Sequence, residues 1–380
     1  MKHLPFLALS LCSFAIDGVR AAEGFTLHEG DRVVLVGSTL IEREQRYGYW
    51  ETALTRRFPS VTFRNLGWSG DTVFGDARAG FGTQADGFRH LKEHVLALKP
   101  TVLIIGYGTN ESFEGPKGLP RFVKGLETLL DTFAPTKSRI VLLSPLKQEN
   151  LGPPLPDPAA NNKNLRLYAD AIRDVAKKRG HLFVDLYDLI DRYKLLDDEE
   201  YPLTDNGIHM TAWGYWRSAY VLQRALGLQE EDWLIEMNPN GEVRKVKGVR
   251  AKKAADDPRQ LQVTTDTLPD PPPPKEGMPI HIRWQGPLVK VTGRQSLNLE
   301  LDLAQAEKLR QAIVAKNRLY FYRWRPENET YLFGFRKHEQ GQNAREIPQF
   351  DPLIAEKEKE IAKLRVPVAH TYELKAEKKP

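Results

Sequence analysis

Short apolar runs alternate with helical repeats of apolar residues over the first half of the chain. The apolar runs predict strands near residues 33–36, 61–67, 101–108, 139–145 and 181–190. Between them, apolar residues recur every three or four positions, which is the spacing along one face of an amphipathic helix. Continuous apolar strands are typical of a parallel sheet that is covered by helices on both faces. The pattern therefore predicts an α/β fold with a parallel sheet between two helical layers.

The pattern changes after about residue 226. Residues 227–276 are basic and polar and then rich in proline, which is typical of a semi-rigid connector. Alternation of apolar and polar residues at 280–303 predicts one or two β-hairpins, and helical patterns follow. We therefore predict an α/β domain at 23–226, a connector at 227–276 and a β/α extension at 277–380.

Aromatic and basic residues are mixed together at 318–339 within the predicted extension. One interpretation is a platform for sugar binding, or a lid over a ligand site. The interpretation that we favour is that Tyr320, Tyr322 and Trp324 dock the extension against the α/β domain, because large exposed aromatic clusters are rare in soluble proteins.

The first residues have the pattern of a signal peptide at 1–22. A short basic start precedes an apolar stretch at 4–16, and cleavage after Ala21 or Ala22 suits the small residues found there. The apolar stretch is shorter than the ~20 residues that a membrane span requires. We expect a secreted or periplasmic protein without a stable membrane span. Cys12 is the only cysteine, so a mature chain would have neither disulfides nor a catalytic thiolate.

Charge and histidine spacing give little indication of nucleic-acid or metal binding. The chain has 55 basic and 50 acidic residues, a net charge of +5, without a block of Lys and Arg that would follow a phosphate backbone. The sequence HLKEH at 90–94 fits a zinc motif in spacing, but it lies on a predicted outer helix without a further acidic ligand. We predict no metal, no organic cofactor and no nucleic-acid partner, and we predict no particular oligomeric state.

Candidate chemistry lies just after the predicted strands, where ligands bind in parallel sheets. The segments are GSTL at 37–40, NLGWSGDT at 65–72, GTNES at 108–112 and DNGIH at 205–209. Together and in this order, they resemble the blocks of the SGNH (GDSL-like) hydrolase family. The resemblance covers residues 24–225 and implies a flavodoxin-like three-layer α/β/α fold with esterase or lipase activity.

The resemblance implies roles for three residues whose types agree with the family pattern. Gly67 and Asn110 match the glycine and the asparagine whose N–H groups stabilise the oxyanion of the reacting ester. His209 matches the histidine that acts as the general base.

Two positions depart from the family pattern. Thr39 occupies the position of the nucleophilic serine, and Ser38 occupies the preceding position of the aspartate. Asn206 stands three residues before His209, where the family has an aspartate, and Asp205 lies one place earlier. Thr39 is a candidate nucleophile although its methyl group restricts χ1, whereas Ser38 would need a local change of backbone direction. Asn206 could orient the histidine without stabilising an imidazolium by charge, and Asp205 is the alternative partner.

These observations predict a secreted ester hydrolase that acts on O-acyl esters, either linked to carbohydrate (an acylated polysaccharide) or of short chain length. A different interpretation is a catalytically impaired module that keeps the fold and binds carbohydrate or a partner, and Thr39 and Asn206 favour it. A third is an interaction protein that acts through residues 277–380.

Overall fold

In the computed structural model, the described part of the chain comprises residues 26–189, 191, 202–238, 240–257, 259–274, 287–292, 297–339 and 343–374. The predicted signal peptide lies outside the described residues.

The predicted parallel sheet is present. Five parallel strands pair in the order β2-β1-β3-β4-β5, and they are β1 (Arg32–Gly37), β2 (Thr62–Gly67), β3 (Val102–Gly106), β4 (Arg139–Leu143) and β5 (Leu182–Val184). Gly37 at the end of β1 pairs with Gly67 on one side and with Gly106 on the other. Three neighbouring strands therefore end in glycine at the same edge of the sheet.

The fifth strand is shorter than its apolar run predicted. It ends at Val184, and the next residues turn because the Ser144 hydroxyl accepts hydrogen bonds from the backbone N–H groups of Leu186 and Tyr187. Those N–H groups are thereby bonded to a side chain rather than to a neighbouring strand.

Helices cover both faces of the sheet, as predicted. They are α1 (Thr39–Tyr47), α2 (Tyr49–Thr55), α3 (Gln84–Ala97), α4 (Gly115–Phe133), α5 (Ala159–Arg179) and α6 (Ala212–Ala225). Successive residues of β1 point to opposite faces, so Val33 and Leu35 lie in one core and Val34 and Val36 lie in the other. The result is the three-layer α/β/α arrangement.

The predicted connector at 227–276 is wrong, because this region forms strands. They are β6 (Trp233–Met237), β7 (Val243–Lys247), β8 (Val249–Lys253) and β9 (Gln260–Thr265). Only alternate side chains of β9 are buried, Leu261 and Val263 among them, while the residues between them are polar. Because of this alternation the average composition of the region is polar, and composition alone does not indicate strands.

These strands pair with strands from the extension. In one sheet the order is β11-β10-β6-β7, with β10 (Leu288–Thr292) and β11 (Leu297–Glu300) forming the predicted hairpin; in the other it is β12-β9-β8, with β12 (His370–Glu373). Ile235, Val249 and Val289 are buried in a core that the two sheets share. Residues 227–276 and the extension therefore form one structural unit.

The C-terminal helices pack on the α/β domain. They are α7 (Ala304–Trp324), α8 (Glu329–Leu332) and α9 (Phe350–Leu364). Tyr320 is buried in one core of the central sheet, and Trp324 packs against the same core. Lys316 of α7 forms a buried ion pair with Glu51 of α2. The predicted docking role of the aromatic residues is thus confirmed for Tyr320 and Trp324.

Neither a membrane-spanning helix nor a metal site is evident in the described ranges. No helix in them is long and apolar enough to cross a bilayer, and no group of His, Cys, Asp and Glu side chains in them is arranged to hold a metal ion.

Candidate active site

A pocket opens at the carboxyl edge of the central sheet, where functional residues were predicted. Three of the four sequence blocks contribute to its lining, through Ser38, Thr39, Asn110 and His209. Gly67 is not among the lining residues. Folding therefore brings together four of the predicted site residues that are far apart in the sequence.

Thr39 has the better placed of the two hydroxyl groups. Ser38 has an extended backbone and serves as the N-cap of α1, its carbonyl oxygen accepting the first hydrogen bonds of the helix. Thr39 is the first residue of that helix and is half-buried. The backbone N–H of Gly70 donates a hydrogen bond to Thr39 Oγ1, with a distance of 3.4 Å between the heavy atoms. The Thr39 hydroxyl thus lies beside the loop that carries the second block.

The structure gives Gly67 a packing role instead of the predicted oxyanion role. Its N–H donates a hydrogen bond to Asn65 Oδ1 at 2.8 Å, so it is not directed at the pocket. A Cβ atom at Gly67 would lie 2.2 Å from the backbone nitrogen of Glu42. Only glycine lets β2 approach α1 this closely.

The backbone N–H of Gly70 is the hydrogen-bond donor beside Thr39, and it was not assigned from the sequence. Gly70 is exposed, and a Cβ atom built on it would contact nothing within 4 Å, which leaves room for a substrate. Its φ of +79° lies in the left-handed region, where glycine is favoured. The signal was present in the sequence, because the glycine of WSGD marks a turn of this kind.

The loop that carries Gly70 is held from two sides. The Glu42 carboxylate accepts hydrogen bonds from the backbone N–H of Ser69 at 2.7 Å and from its hydroxyl at 2.8 Å. Arg325, which directly follows α7, donates to the same carboxylate at 2.7 Å. Its guanidinium carbon lies 3.7 Å from the ring centroid of Trp68. A residue of the C-terminal extension therefore contacts the loop beside Thr39.

Asn110 lines the pocket from the turn after β3. Its Nδ2 atom donates one hydrogen bond to the backbone oxygen of Asp71, at 2.7 Å. An amide nitrogen carries two hydrogens, so the second can be offered to a ligand. The Asp71 side chain is fixed in turn, because it is buried with Arg78 and accepts hydrogen bonds from that guanidinium and from the Tyr107 hydroxyl.

Glu111 joins the turn of Asn110 to the loop of Gly70. Its two carboxylate oxygens accept backbone hydrogen bonds from Val73 and Gly108, each at 2.9 Å. Burial raises the pKa of Glu111 to about 7, although these N–H donors favour the carboxylate. The buried Glu111 side chain and the Asn110–Asp71 hydrogen bond thus both fix the relative positions of the two candidate oxyanion donors.

Asn206 fixes the tautomer of His209. Its Oδ1 atom accepts hydrogen bonds from the backbone N–H groups of Ile208 at 3.1 Å and of His209 at 2.9 Å. The amide nitrogen must therefore face the ring, and it lies 3.1 Å from Nδ1. Because an amide nitrogen only donates, Nδ1 accepts and the proton of the neutral ring is on Nε2. Among the described residues, no hydrogen bond joins this ring to Ser38 or Thr39.

Asp205 does not take the place of the missing aspartate. Its carboxylate forms an ion pair with Arg43, whose Nη2 atom lies 2.6 Å from Asp205 Oδ2. Burial and the nearby Arg43 lower the pKa of His209 below its ordinary value, and the Asp205 charge opposes them only in part. The neutral histidine is therefore the favoured form at neutral pH.

A solved structure is similar in fold over most of the chain. A gut microbial diltiazem-metabolizing enzyme, BT4096, is similar with a TM-score of 0.66 at 15% identity, over 93% of this chain and 99% of that one. Similarity at this identity indicates a common fold, and its coverage includes the region after residue 226.

Two smaller proteins are similar over about half of this chain. A catalytic mutant of Axe2, an acetylxylan esterase from Geobacillus stearothermophilus, is 19% identical over 53% of this chain and 97% of that one, with a TM-score of 0.43. The enzyme LAE5 from the metagenome of Lake Arreo is 24% identical over 55% and 100% of the two chains, with a TM-score of 0.44. No curated protein matches the chain.

The family model of the GDSL-like Lipase/Acylhydrolase family matches residues 29–217. This range contains the central sheet, all four sequence blocks and the pocket between them. Through this range the chain belongs to the GDSL-like lipase/acylhydrolase family, a family of hydrolases that act on ester bonds.

Proposed function

We propose that the protein hydrolyses O-acyl esters with Thr39 as its nucleophile. The observation that carries the proposal is the hydrogen bond from the Gly70 N–H to Thr39 Oγ1, in a pocket that Asn110 and His209 also line. A hydroxyl beside backbone and amide donors is the arrangement that acyl transfer requires. We further propose that the protein acts after export, as the predicted signal peptide suggests.

In the first half of the proposed reaction, Thr39 Oγ1 attacks the carbonyl carbon of the ester. The negative charge that develops on the carbonyl oxygen is stabilised by the Gly70 N–H and by the second N–H of the Asn110 amide. His209 Nε2 takes the proton from Thr39 and returns it to the departing alcohol, which leaves an acyl-threonine.

In the second half, water attacks the carbonyl carbon of the acyl-threonine while His209 accepts a proton from that water. The carboxylic acid is released and the Thr39 hydroxyl is regenerated by return of that proton. Both halves require a lone pair on Nε2, and hence the tautomer with its proton on Nδ1.

Asn206 makes this tautomer unfavourable, so the proposed activity is slow. An Nδ1–H group would face the N–H bonds of the Asn206 amide and would have no acceptor there. In a serine-protease triad, the same exchange of carboxylate for amide lowers turnover by ~10⁴. We therefore propose measurable but weak hydrolysis of carbohydrate-linked or short-chain esters.

The orientation of Asn206 also favours a second candidate function, a binding module that no longer turns over its ligand. In the tautomer set by Asn206, His209 offers Nε2–H as a donor rather than a base. Such a pocket would bind the acyl group of a ligand and leave the ester intact.

Labelling with a fluorophosphonate separates the two candidates. We expect one covalent adduct on the peptide that contains residues 33–43, located on Thr39 by fragmentation, together with slow hydrolysis of p-nitrophenyl acetate. Neither should occur in His209→Ala. A folded protein that forms no adduct and does not cleave the ester would support the binding module instead.

A further inference from the structure

Two buried hydrogen-bond donors in the pocket have no partner in the described part of the chain. They are Nε of Arg43 and Nε2 of Gln148, and both side chains line the pocket. Buried donors nearly always have a hydrogen-bond partner in folded proteins, because a donor that loses its water without gaining a partner is destabilising. Two such donors in one pocket therefore call for a ligand that accepts from them.

Gln148 is held in position by its main chain. Its backbone N–H donates to Asn162 Oδ1 at 2.8 Å, and the Asn162 amide donates back to the Gln148 carbonyl oxygen at 2.9 Å. The residue is only 8% exposed. The backbone hydrogen bonds therefore position the side-chain amide in the pocket, and its Nε2 atom remains without a partner among the described residues.

Arg43 is held in position through the other end of its guanidinium. Nη2 donates to Asp205 Oδ2 at 2.6 Å and to the Tyr47 hydroxyl at 3.3 Å. These bonds orient the group and leave Nε without a partner among the described residues. Asp205, one of the candidate partners of His209, thus serves to orient Arg43.

The charge of the lining points to an anion. Arg43 and Lys147 both line the pocket, and the described residues that line it include no Asp or Glu. The Arg43 and Lys147 side chains pair with Asp205 and Asp191, and neither carboxylate lines the pocket. The proposed reaction assigns the carbonyl oxygen of the ester to Gly70 and Asn110. A second acceptor group is needed to satisfy Arg43 and Gln148.

We propose that Arg43 and Gln148 bind a carboxylate of the substrate, so that the preferred substrate is an O-acyl ester of an acidic sugar. The ester part of this inference rests on the proposed function. The carboxylate site itself requires no turnover, because it is made by residues that take no part in the proposed acyl transfer.

Binding to a variant that cannot turn over isolates the carboxylate site. The full-length protein with Thr39→Ala is titrated by calorimetry, at fixed ionic strength, with the monoacetates of methyl glucuronoside and of methyl glucoside. These probes differ only at C6, which is a carboxylate in the first and a hydroxymethyl group in the second. Charge-assisted hydrogen bonds predict at least ~10-fold tighter binding of the acidic probe.

A second substitution in the same background locates the effect. Arg43→Gln should abolish the preference for the acidic probe. Arg46→Gln makes the same charge change on the same helix, but Arg46 does not line the pocket and its side chain is 62% exposed. It should keep the preference. Gln148→Glu replaces the unpaired donor with a carboxylate, which should also abolish the preference and which tests the site if Arg43→Gln does not fold.

The possible results are distinct. Equal affinity for the two probes would overturn the inference, and so would a preference that survives Gln148→Glu. A preference that Gln148→Glu abolishes, in a protein whose unsubstituted form hydrolyses no ester, would support the carboxylate site while contradicting the proposed hydrolysis.

Discussion

The Nδ2 atom of Asn206 lies 3.1 Å from Nδ1 of His209, and the Oδ1 atom of the same amide accepts hydrogen bonds from two backbone N–H groups. An aspartate in this place would accept those backbone hydrogen bonds and also one from Nδ1–H. A single change of amide to carboxylate thus separates the present tautomer from the one that a general base requires.

We expect Asn206→Asp to increase esterase activity. The carboxylate would place the ring proton on Nδ1 and stabilise the imidazolium formed during acyl transfer, so kcat should rise by ~10²–10⁴. Steady-state hydrolysis of p-nitrophenyl acetate measures the effect. Asp205→Asn is the matched control, since Asp205 pairs with Arg43, and it should produce no comparable gain. An unchanged kcat in a folded Asn206→Asp variant would contradict the role assigned to His209.

The pH dependence of activity should reflect the lowered pKa of His209. The neutral ring is the active form, so kcat/KM should be fully developed at pH 7 and fall as the pH decreases through a pKa below the ordinary 6.5. Burial and the Arg43 charge cause this depression. Arg43→Gln should therefore move the acidic limb of the profile to higher pH. A limb that stays in place would show that Arg43 does not act on the titrating group.

Substitutions at the two hydroxyls should distinguish their roles. Thr39→Ser keeps the hydroxyl and removes the methyl group that restricts approach, so activity should be retained or rise. Thr39→Ala should reduce activity to background, whereas Ser38→Ala should retain most of it, because only Thr39 contacts the Gly70 N–H. Initial rates with p-nitrophenyl acetate test this. If Ser38→Ala were inactive and Thr39→Ala active, the assignment would be reversed.

The central fold could be predicted from the sequence because its strands are buried on both faces. Residues of β1 such as Val33 and Val34 are apolar whichever core they enter, so the run is continuous and easily recognised. In β9, by contrast, Leu261 and Val263 are separated by polar residues, and the composition suggested a connector.

The site was predictable in its residue types and less so in its contacts. Motif order alone located Thr39, Asn110 and His209 at one pocket. Motif order did not exclude Gly67 as the donor, because that depends on the hydrogen bond between its N–H and the Asn65 side chain. Nor could it reveal that Arg325 reaches the same loop, since that contact depends on how α7 packs.

The two glycines of the second block should differ in their effect on stability. Gly67→Ala places a Cβ against the Glu42 backbone, which cannot move without shifting α1, and should cost ~3 kcal/mol of unfolding free energy, the upper end of the usual range for overpacking. Gly70→Ala meets open space and should cost only the ~1–2 kcal/mol of a left-handed non-glycine residue. Urea unfolding of both variants provides the measurement. Equal losses would argue against the close approach of β2 to α1.

Arg325→Met should lower activity although Arg325 lies in the C-terminal extension. Its guanidinium holds the Glu42 carboxylate, which in turn binds Ser69 next to Gly70, so its loss should loosen the oxyanion donor. Misplacement of this kind predicts a ~10–10²-fold lower kcat with a smaller change in KM.

The control for Arg325→Met is Arg323→Met, two residues earlier in the last turn of α7. Arg323 forms an exposed ion pair with Asp351, and exposed pairs contribute little to stability. It should leave both kinetic constants near those of the unsubstituted protein. Equal kcat values for the two variants, with both proteins folded, would restrict the extension to packing. A selective loss in Arg325→Met would instead make the extension part of the active site, because it would position the loop that stabilises the transition state.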